Sequence, residues 1–308
     1  MEKYDLVILG AGPAGLSAAI YGRRAGLSAL VLEKESHGGQ IKLTDLIENW
    51  PGSKAVNGYD LGNQFYEHAL GLGAEFRSAT VQSLRVEHDR RFVETSIGEF
   101  EAGAVIVATG ASFSPLGVPG ENEFIGRGVS YCAVCDGPFY RGQQVAVVGG
   151  GDSALKEALH LTAFAEKVFL IHRRGEFRAG RFNVDKALAN DKIVPLMHQV
   201  VTGIEGGPAG VERLRLKEVR TGQESDLDVS GIFIFVGTVP HSRFLGGFLE
   251  TDAGGWIITD RHLAASRPGI FAAGDVRDTD LRQVVTAAAD GARAAMSAYN
   301  FLSNENLI

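Results

Sequence analysis

Two cysteines, Cys132 and Cys135, are all that the 308 residues contain. So few cannot staple a fold of this length, and their C-x-x-C spacing leaves three readings open: half of a zinc site, a structural disulfide, or a redox pair. Long apolar runs are missing too. No stretch approaches the roughly 18 residues of a membrane-spanning helix, and the opening MEKYDLVILGAG lacks the charged n-region, apolar core and cleavage site of a secretory signal. Runs of Lys or Arg are also absent. With 30 basic and 37 acidic residues the formal net charge is −7, which repels phosphate backbones, so neither nucleic acid nor membrane is an expected partner. A cytoplasmic protein is the expectation, and there a permanent C-x-x-C staple is disfavoured.

Glycine is abundant instead, with 40 residues, against a usual share of about 7%. The excess marks tight turns rather than low complexity. Near the N-terminus a buried-strand pattern ends at Leu9 and is followed by Gly10, Gly12 and Gly15 in G-x-G-x-x-G spacing. A run of small and apolar residues suggests a helix, and a second strand, ALVLE, ends in Glu33. The first glycine turns the chain, the second admits a pyrophosphate, the third lets helix pack on strand, and the acid suits a ribose hydroxyl.

The pattern recurs at QQVAVVGGGDSALKEALHL, with Gly149, Gly151 and Ala154 at the three positions. Where the first unit has Glu33, 23 residues after Gly10, the second has His172, followed by Arg173, Arg174 and Arg178. A guanidinium cluster would clamp a 2′-phosphate that an acid would repel. Two dinucleotides of different kinds are expected, the second being NADPH rather than NADH. Each fingerprint is followed by alternating segments and a buried strand, AVIVATG in one half and GIFIFVG in the other. The fold class expected is therefore α/β: two Rossmann-like domains, each a parallel sheet with helices plus an antiparallel β-meander. Segments 110–120 and 236–242, rich in Gly, Pro and Ser, read as linkers.

Past residue 242 there is no third fingerprint. PGIFAAGDV reads as a short strand ending at Asp275, and a small-residue run from Arg282 reads as a helix. If this piece returns to the first domain, Asp275 can hold a hydroxyl of the first cofactor. The helix N-terminus near Arg282 and Gln283 would favour negative charge on it.

The order of GAGPAG, GGQ, ENWPG, ATG, CAVCDG, GGGDSA, HRRGEFRA, FAAGD and RQ resembles the low-molecular-weight, bacterial-type thioredoxin reductases over nearly the whole chain. The resemblance implies a homodimer with FAD in a discontinuous domain, 1–113 and 241–308. NADPH would bind in a domain at 114–240 that also carries the redox-active pair. For FAD it implies Gly10, Gly12, Pro13, Ala14 and Gly15 in the first turn and Glu33 with Lys34 after the second strand. Gly39, Gln40, Thr44 and Asn49 would follow, then Val81, Thr109 and Gly110. The C-terminal piece would add Gly274 and Asp275, then Arg282, Gln283 and Val284. For NADPH the implied set is Gly149, Gly151, Asp152, Ser153 and Ala154, then His172 with the three arginines, and Gly237. Two departures stand out: His241 occupies a position where the family often has Asn, and 179–196 matches less well than the motifs. Neither an extra N-terminal domain nor a C-terminal cysteine pair is expected.

The same resemblance makes Cys135 the sulfur nearest the flavin, Cys132 the nucleophile towards thioredoxin, and Asp136 the proton carrier. Zinc would need four ligands, and the eight histidines show no H-x₃₋₅-H pair, so no metal is expected. Since the pair and the second fingerprint are only 14 residues apart, Cys135 to Gly149, both must reach one flavin by turns. Rotation of the NADPH domain between two states is the expectation. The alternative function is a related flavin-dependent disulfide reductase, or a dithiol oxidase, acting on another protein or small-molecule thiol.

Overall fold

A computed structural model describes residues 1–44 and 46–308. They divide into two units, Met1–Ser112 with Val239–Ile308, and Phe113–Thr238.

The first unit opens with β1 (Glu2–Leu9), α1 (Pro13–Arg24), β2 (Ala29–Glu33), α2 (Gly58–Gly71) and β3 (Glu75–Ser78). A meander, β4 (Val81–Glu87), β5 (Arg90–Thr95) and β6 (Gly98–Val107), follows. The sheet order is β3-β2-β1-β6-β5-β4. β6 belongs to two patterns. Its first half pairs antiparallel with β5, while Val105–Val107 pair parallel with Ile270–Ala272, a strand from the far end of the chain. The expected meander and the expected buried strand AVIVATG thus share one ten-residue strand. Leu6, Ile8, Leu30, Leu32 and Ile106 are fully buried, as strands covered on both faces require. Helix α2 was not apparent from glycine-rich 52–62; it is capped by Asn57, whose Oδ1 accepts from the Tyr59 and Asp60 amides at 2.9 and 3.3 Å.

From β7 (Ala111–Phe113) the chain enters the second unit: β8 (Val129–Ser130), α3 (Ala133–Asp136), β9 (Gln144–Gly149), α4 (Asp152–Leu161) and β10 (Lys167–His172). Then come α5 (Arg181–Leu188), β11 (Ile193–Met197), β12 (Gln199–Gly207), β13 (Gly210–Glu218), β14 (Glu224–Asp228) and β15 (Gly231–Phe235). Here the parallel sheet, β11-β10-β9-β15-β8, is separate from the antiparallel β12-β13-β14.

β16 (Thr238–Pro240) carries the chain back to the first unit, where β17 (Ile270–Ala272) and α6 (Val284–Asn304) complete it. The strand expected over 268–276 is shorter than anticipated, and Asp275 sits in a 3-10 turn, Gly274–Val276, just beyond it. α6 packs on α1 through small residues. A Cβ on Gly291 would come within 2.0 Å of the Ala14 carbonyl oxygen, and Ser17 Oγ donates to Ala288 O at 2.7 Å. That close approach holds the C-terminal helix against the first fingerprint.

Candidate functional site

The first fingerprint is built by sterics. Gly10 has φ +106° and its position faces the Ala108 carbonyl; a side chain on Gly15 would meet Gly10 O at 1.9 Å. Gly12 is the opposite case, since a Cβ there would touch nothing closer than Gly39 Cα at 3.8 Å. It opens onto a cleft of about 290 Å³ within the first unit. Of the expected FAD residues, Gly10, Gly12, Pro13 and Ala14 line it from the turn, Glu33 and Lys34 from the end of β2, and Gly39 and Gln40 from a 3-10 turn. Thr109, Gly110, Asp275, Gln283 and Val284 complete that group. Gly15 is buried behind the wall and Gly274 bonds the Asp290 carboxylate through its amide at 3.2 Å. Thr44 ends the 3-10 turn, Val81 begins β4, and Asn49 donates to Gln283 Oε1 at 3.0 Å without lining the cleft.

The polar groups of the cleft suit a dinucleotide. Glu33 accepts from the Ala11 and Glu35 amides at 2.8 and 3.0 Å, which fixes its carboxylate and leaves lone pairs for hydroxyls. Burial pushes the Asp275 carboxyl up to about 6; Arg282 pulls against this and Asp290 adds to it. Arg282 itself stacks on Trp256, with Cζ 3.9 Å from the ring centroid. Gln283 caps α6 in a reciprocal capping box with Thr286, so the N-terminus of a 21-residue helix faces the cleft. Residues outside the expected set also line it, including Ser36, Ile41, Lys42, Ser112 and His241. His241 Nδ1 lies 3.0 Å from Thr109 O, an acceptor, and so carries its hydrogen there; Nε2 is 2.7 Å from Ser112 Oγ. Its unusual identity was visible in the sequence, but its place in the wall depends on a contact spanning 129 residues.

In the second fingerprint the Gly149 position faces Phe235 O and the Ala154 methyl, so alanine fits the third place because Gly149 has no side chain. Gly151 has open space, and Asp152 and Ser153 begin α4. The Asp152 carboxylate accepts from Asn183 Nδ2 at 2.6 Å and the Gly180 amide at 3.0 Å, which lowers its pKa. Arg173, Arg174 and Arg178 are exposed, and none forms an ion pair among the described residues. His172 differs from them. Its ring is 6% exposed and lies where a Gly150 side chain would be, with Nε2 3.0 Å from Glu176 O. Burial lowers its pKa, and the ring braces the loop that presents the arginines. Gly237, at φ +150°, closes the turn after β15 by accepting the Ser114 amide at 2.9 Å.

Cys132 and Cys135 form a disulfide with Cα atoms 5.3 Å apart. Cys132 caps the short α3, its Sγ accepting the Cys135 amide at 3.1 Å. Asp136 ends that turn with its amide on Cys132 O at 3.1 Å. Burial raises the Asp136 carboxyl above the ordinary carboxylate range, while a hydrogen bond from Ser130 opposes the rise. Tyr140, nearby, is pushed up to about 12 by burial and then by the Asp136 charge. Val134 and Phe139 stand exposed beside the pair.

Two supports of this segment escaped the sequence reading. Ser130 bonds both backbone groups of Cys132. Glu121, 2% exposed, accepts from the Leu116 and Gly117 amides and from the Tyr131 hydroxyl at 2.7 to 2.9 Å, tying the residue before Cys132 to the segment that enters this unit. Among the described residues no cluster of three His, Cys, Asp or Glu could hold a metal, and no helix is long and apolar enough to cross a membrane.

A family model described as pyridine nucleotide-disulphide oxidoreductase matches residues 4–291. A thioredoxin reductase of Bacillus subtilis is 42% identical over 97% of this chain and 95% of its own. A bifunctional thioredoxin reductase/thioredoxin of Mycobacterium leprae is 42% identical over 97% of this chain and 66% of its own. The crystal structure of thioredoxin reductase from Streptococcus pyogenes aligns with a TM-score of 0.94 at 46% identity, covering 98% and 99% of the two chains.

Proposed function

The chain belongs to the pyridine nucleotide-disulphide oxidoreductases, and within them to the thioredoxin reductase family, which uses FAD and NADPH; on that footing we propose that it reduces thioredoxin at the expense of NADPH. The first unit is the FAD domain and the second the NADPH domain. The observation that carries this reading is a disulfide, Cys132–Cys135, lodged beside a half-buried acid in the same unit as the arginine-bearing fingerprint.

FAD would be held by the first cleft, with Glu33 and Asp275 for its hydroxyls and the Gly12 opening and α6 N-terminus for its negative groups. When bound, it supplies a two-electron relay between the nicotinamide and the disulfide. Arg173, Arg174 and Arg178 select the 2′-phosphate, with His172 bracing them. Once the pair is reduced, the Cys132 thiolate attacks one sulfur of the partner disulfide. That S–S bond breaks and a mixed disulfide forms. Cys135 then attacks Cys132 Sγ, which re-forms the pair and releases the partner's second thiol. Asp136 protonates a departing thiolate and takes the proton back when the pair re-forms. Exposed Val134 and Phe139 offer apolar contact to a protein-sized substrate. The Mycobacterium leprae relative, whose name joins reductase and thioredoxin, favours thioredoxin over a small-molecule thiol.

Because the disulfide and the second fingerprint share one unit, they serve one flavin by alternation. The chain crosses between units only near 112–113 and 238–239, which lets the NADPH unit turn as a body. The working form is a cytoplasmic homodimer, checked by light scattering.

The test is anaerobic. Purified protein is titrated with NADPH or NADH, and disulfide reduction is followed with and without thioredoxin. Fast NADPH oxidation that requires thioredoxin, lost in Cys135→Ser, is expected. No turnover with thioredoxin, together with oxygen consumption in air when a small-molecule dithiol is added without NADPH, would instead support the oxidase reading.

A further inference from the structure

The loop that carries the three arginines is bonded to the second fingerprint through three successive amides. Arg178 N and Ala179 N both donate to Gly150 O, at 2.7 and 3.2 Å, and Gly180 N donates to Asp152 Oδ1 at 3.0 Å. Helix α5 begins there, and its N-cap, Gly180, has no side chain with which to cap it. Asp152 supplies the missing acceptor from another element. The same Oδ1 accepts Asn183 Nδ2, from the third residue of α5, at 2.6 Å. One carboxylate thus stands in the first turn of α4 and against the start of α5, where both helix dipoles favour it. We infer that Asp152 and Asn183 form a latch that holds Arg178 at the second fingerprint, so that Asp152 is a positioning residue for selection of the 2′-phosphate. This rests on the reading of the second unit as the NADPH domain.

The two arginines that flank the latch are used differently. Arg181 Nε donates to both carboxylate oxygens of Asp185, at 3.1 and 3.2 Å, and so is committed within α5. Arg178 is exposed and pairs with no acid among the described residues, which leaves its guanidinium for an incoming anion while its backbone stays on Gly150. The bonds from Asn183 and the Gly180 amide hold the Asp152 carboxyl below its ordinary range, so it remains charged and its bonds charge-assisted. An acid beside a phosphate repels it. The carboxylate therefore serves the nucleotide through the loop it fastens, not by contact. A loop fixed beforehand need not be ordered when the ligand arrives. With the latch undone, the arginine is in place for only part of the time, and apparent affinity falls by that fraction. A nucleotide without a 2′-phosphate makes no use of Arg178 and escapes the loss.

The test uses the flavin-loaded full chain, titrated by calorimetry with oxidised NADP and, separately, oxidised NAD. Trypsin cleavage after Arg178 follows the loop itself. In Asp152→Ala the affinity for NADP is expected to fall about 10-fold while that for NAD moves less than about 2-fold. Cleavage after Arg178 should quicken in the same variant. Asp152→Asn, which keeps an oxygen acceptor, stays near wild type. Asn183→Ala leaves the Gly180 bond in place and shows a smaller loss of the same kind. Arg178→Ala and the double variant with Asp152→Ala should bind NADP equally, because the latch acts through that arginine. Equal losses for the two nucleotides would mean that Asp152 merely supports the fold, and a gain for both that it merely repels phosphate; either overturns the inference. So do additive losses in the double variant. If the wild-type chain does not prefer NADP to NAD, the NADPH reading falls, and the latch with it.

Discussion

Asp275→Asn should make the flavin-free protein more stable at neutral pH while weakening its hold on FAD. The carboxyl rises from 3.8 to about 6 because it is buried among groups that do not replace its hydration, with Arg282 offsetting only part of the cost. A displacement of about two units, at about 1.4 kcal/mol each, makes the ionised side chain cost the folded state about 3 kcal/mol. The folded chain holds this proton more tightly than the unfolded chain, so between pH 3.8 and about 6 stability falls as pH rises. Above that window the penalty is complete, and below it the penalty vanishes. An uncharged asparagine of the same shape avoids it. Thermal unfolding of the apoprotein should therefore show Asp275→Asn about 5–10 °C above wild type at pH 7.5, with the difference closing near pH 4. Hydroxyl donors of a bound cofactor would compensate the charge, so FAD affinity, read by fluorescence quenching, should drop in the variant. No gain at pH 7.5, or a gain of equal size at pH 4, would refute the claim that an uncompensated buried charge is kept here for the ligand.

The two fingerprint glycines should separate binding from folding. Gly12→Ala, with 3.8 Å of room, gives a folded apoprotein that takes up little FAD; Gly15→Ala, facing Gly10 O at 1.9 Å, disrupts the turn itself and is expected to lose cooperative unfolding. Replacing Arg173, Arg174 or Arg178 by alanine should weaken NADPH about 10- to 100-fold at whichever positions bond the 2′-phosphate. NADH binding, measured by the same titration, should scarcely move. Glu121→Ala strands two amides and a tyrosine hydroxyl, which should cost the second unit about 3–5 kcal/mol in urea unfolding. Glu121→Gln, which retains an acceptor, should cost less.

Much of the site was legible because its parts are local. A G-x-G-x-x-G turn works through contacts a few residues apart, and the inversion from Glu33 to His172, Arg173 and Arg174 sits at a fixed distance from each first glycine. Strands covered on both faces announce themselves as unbroken apolar runs, as β1 and β15 do. Helix α2 was missed because its signal is an Asn57 cap ahead of a glycine-rich first turn. β6 was divided in the sequence reading because nothing local says that one strand pairs with β5 along one stretch and β17 along another. His172 looked like one more basic group beside the arginines, yet an imidazole that fits the space left by Gly150 is drawn inside.

The sequence by itself determined that two glycine fingerprints, one followed by an acid and the other by arginines, flank a single C-x-x-C pair, since glycine sterics and side-chain charge act over a few residues and need no partner. Only the tertiary structure decided which acids are buried and what faces them. Asp275, Asp136 and Glu121 are equally ordinary carboxylates on paper. Packing draws the first two partly and the third wholly out of water, and what faces them differs: the Arg282 charge opposed by Asp290 for the first, little but burial for the second, and three hydrogen-bond donors for the third. Desolvation depends on everything that surrounds a group, and those neighbours arrive from strands and turns far along the chain.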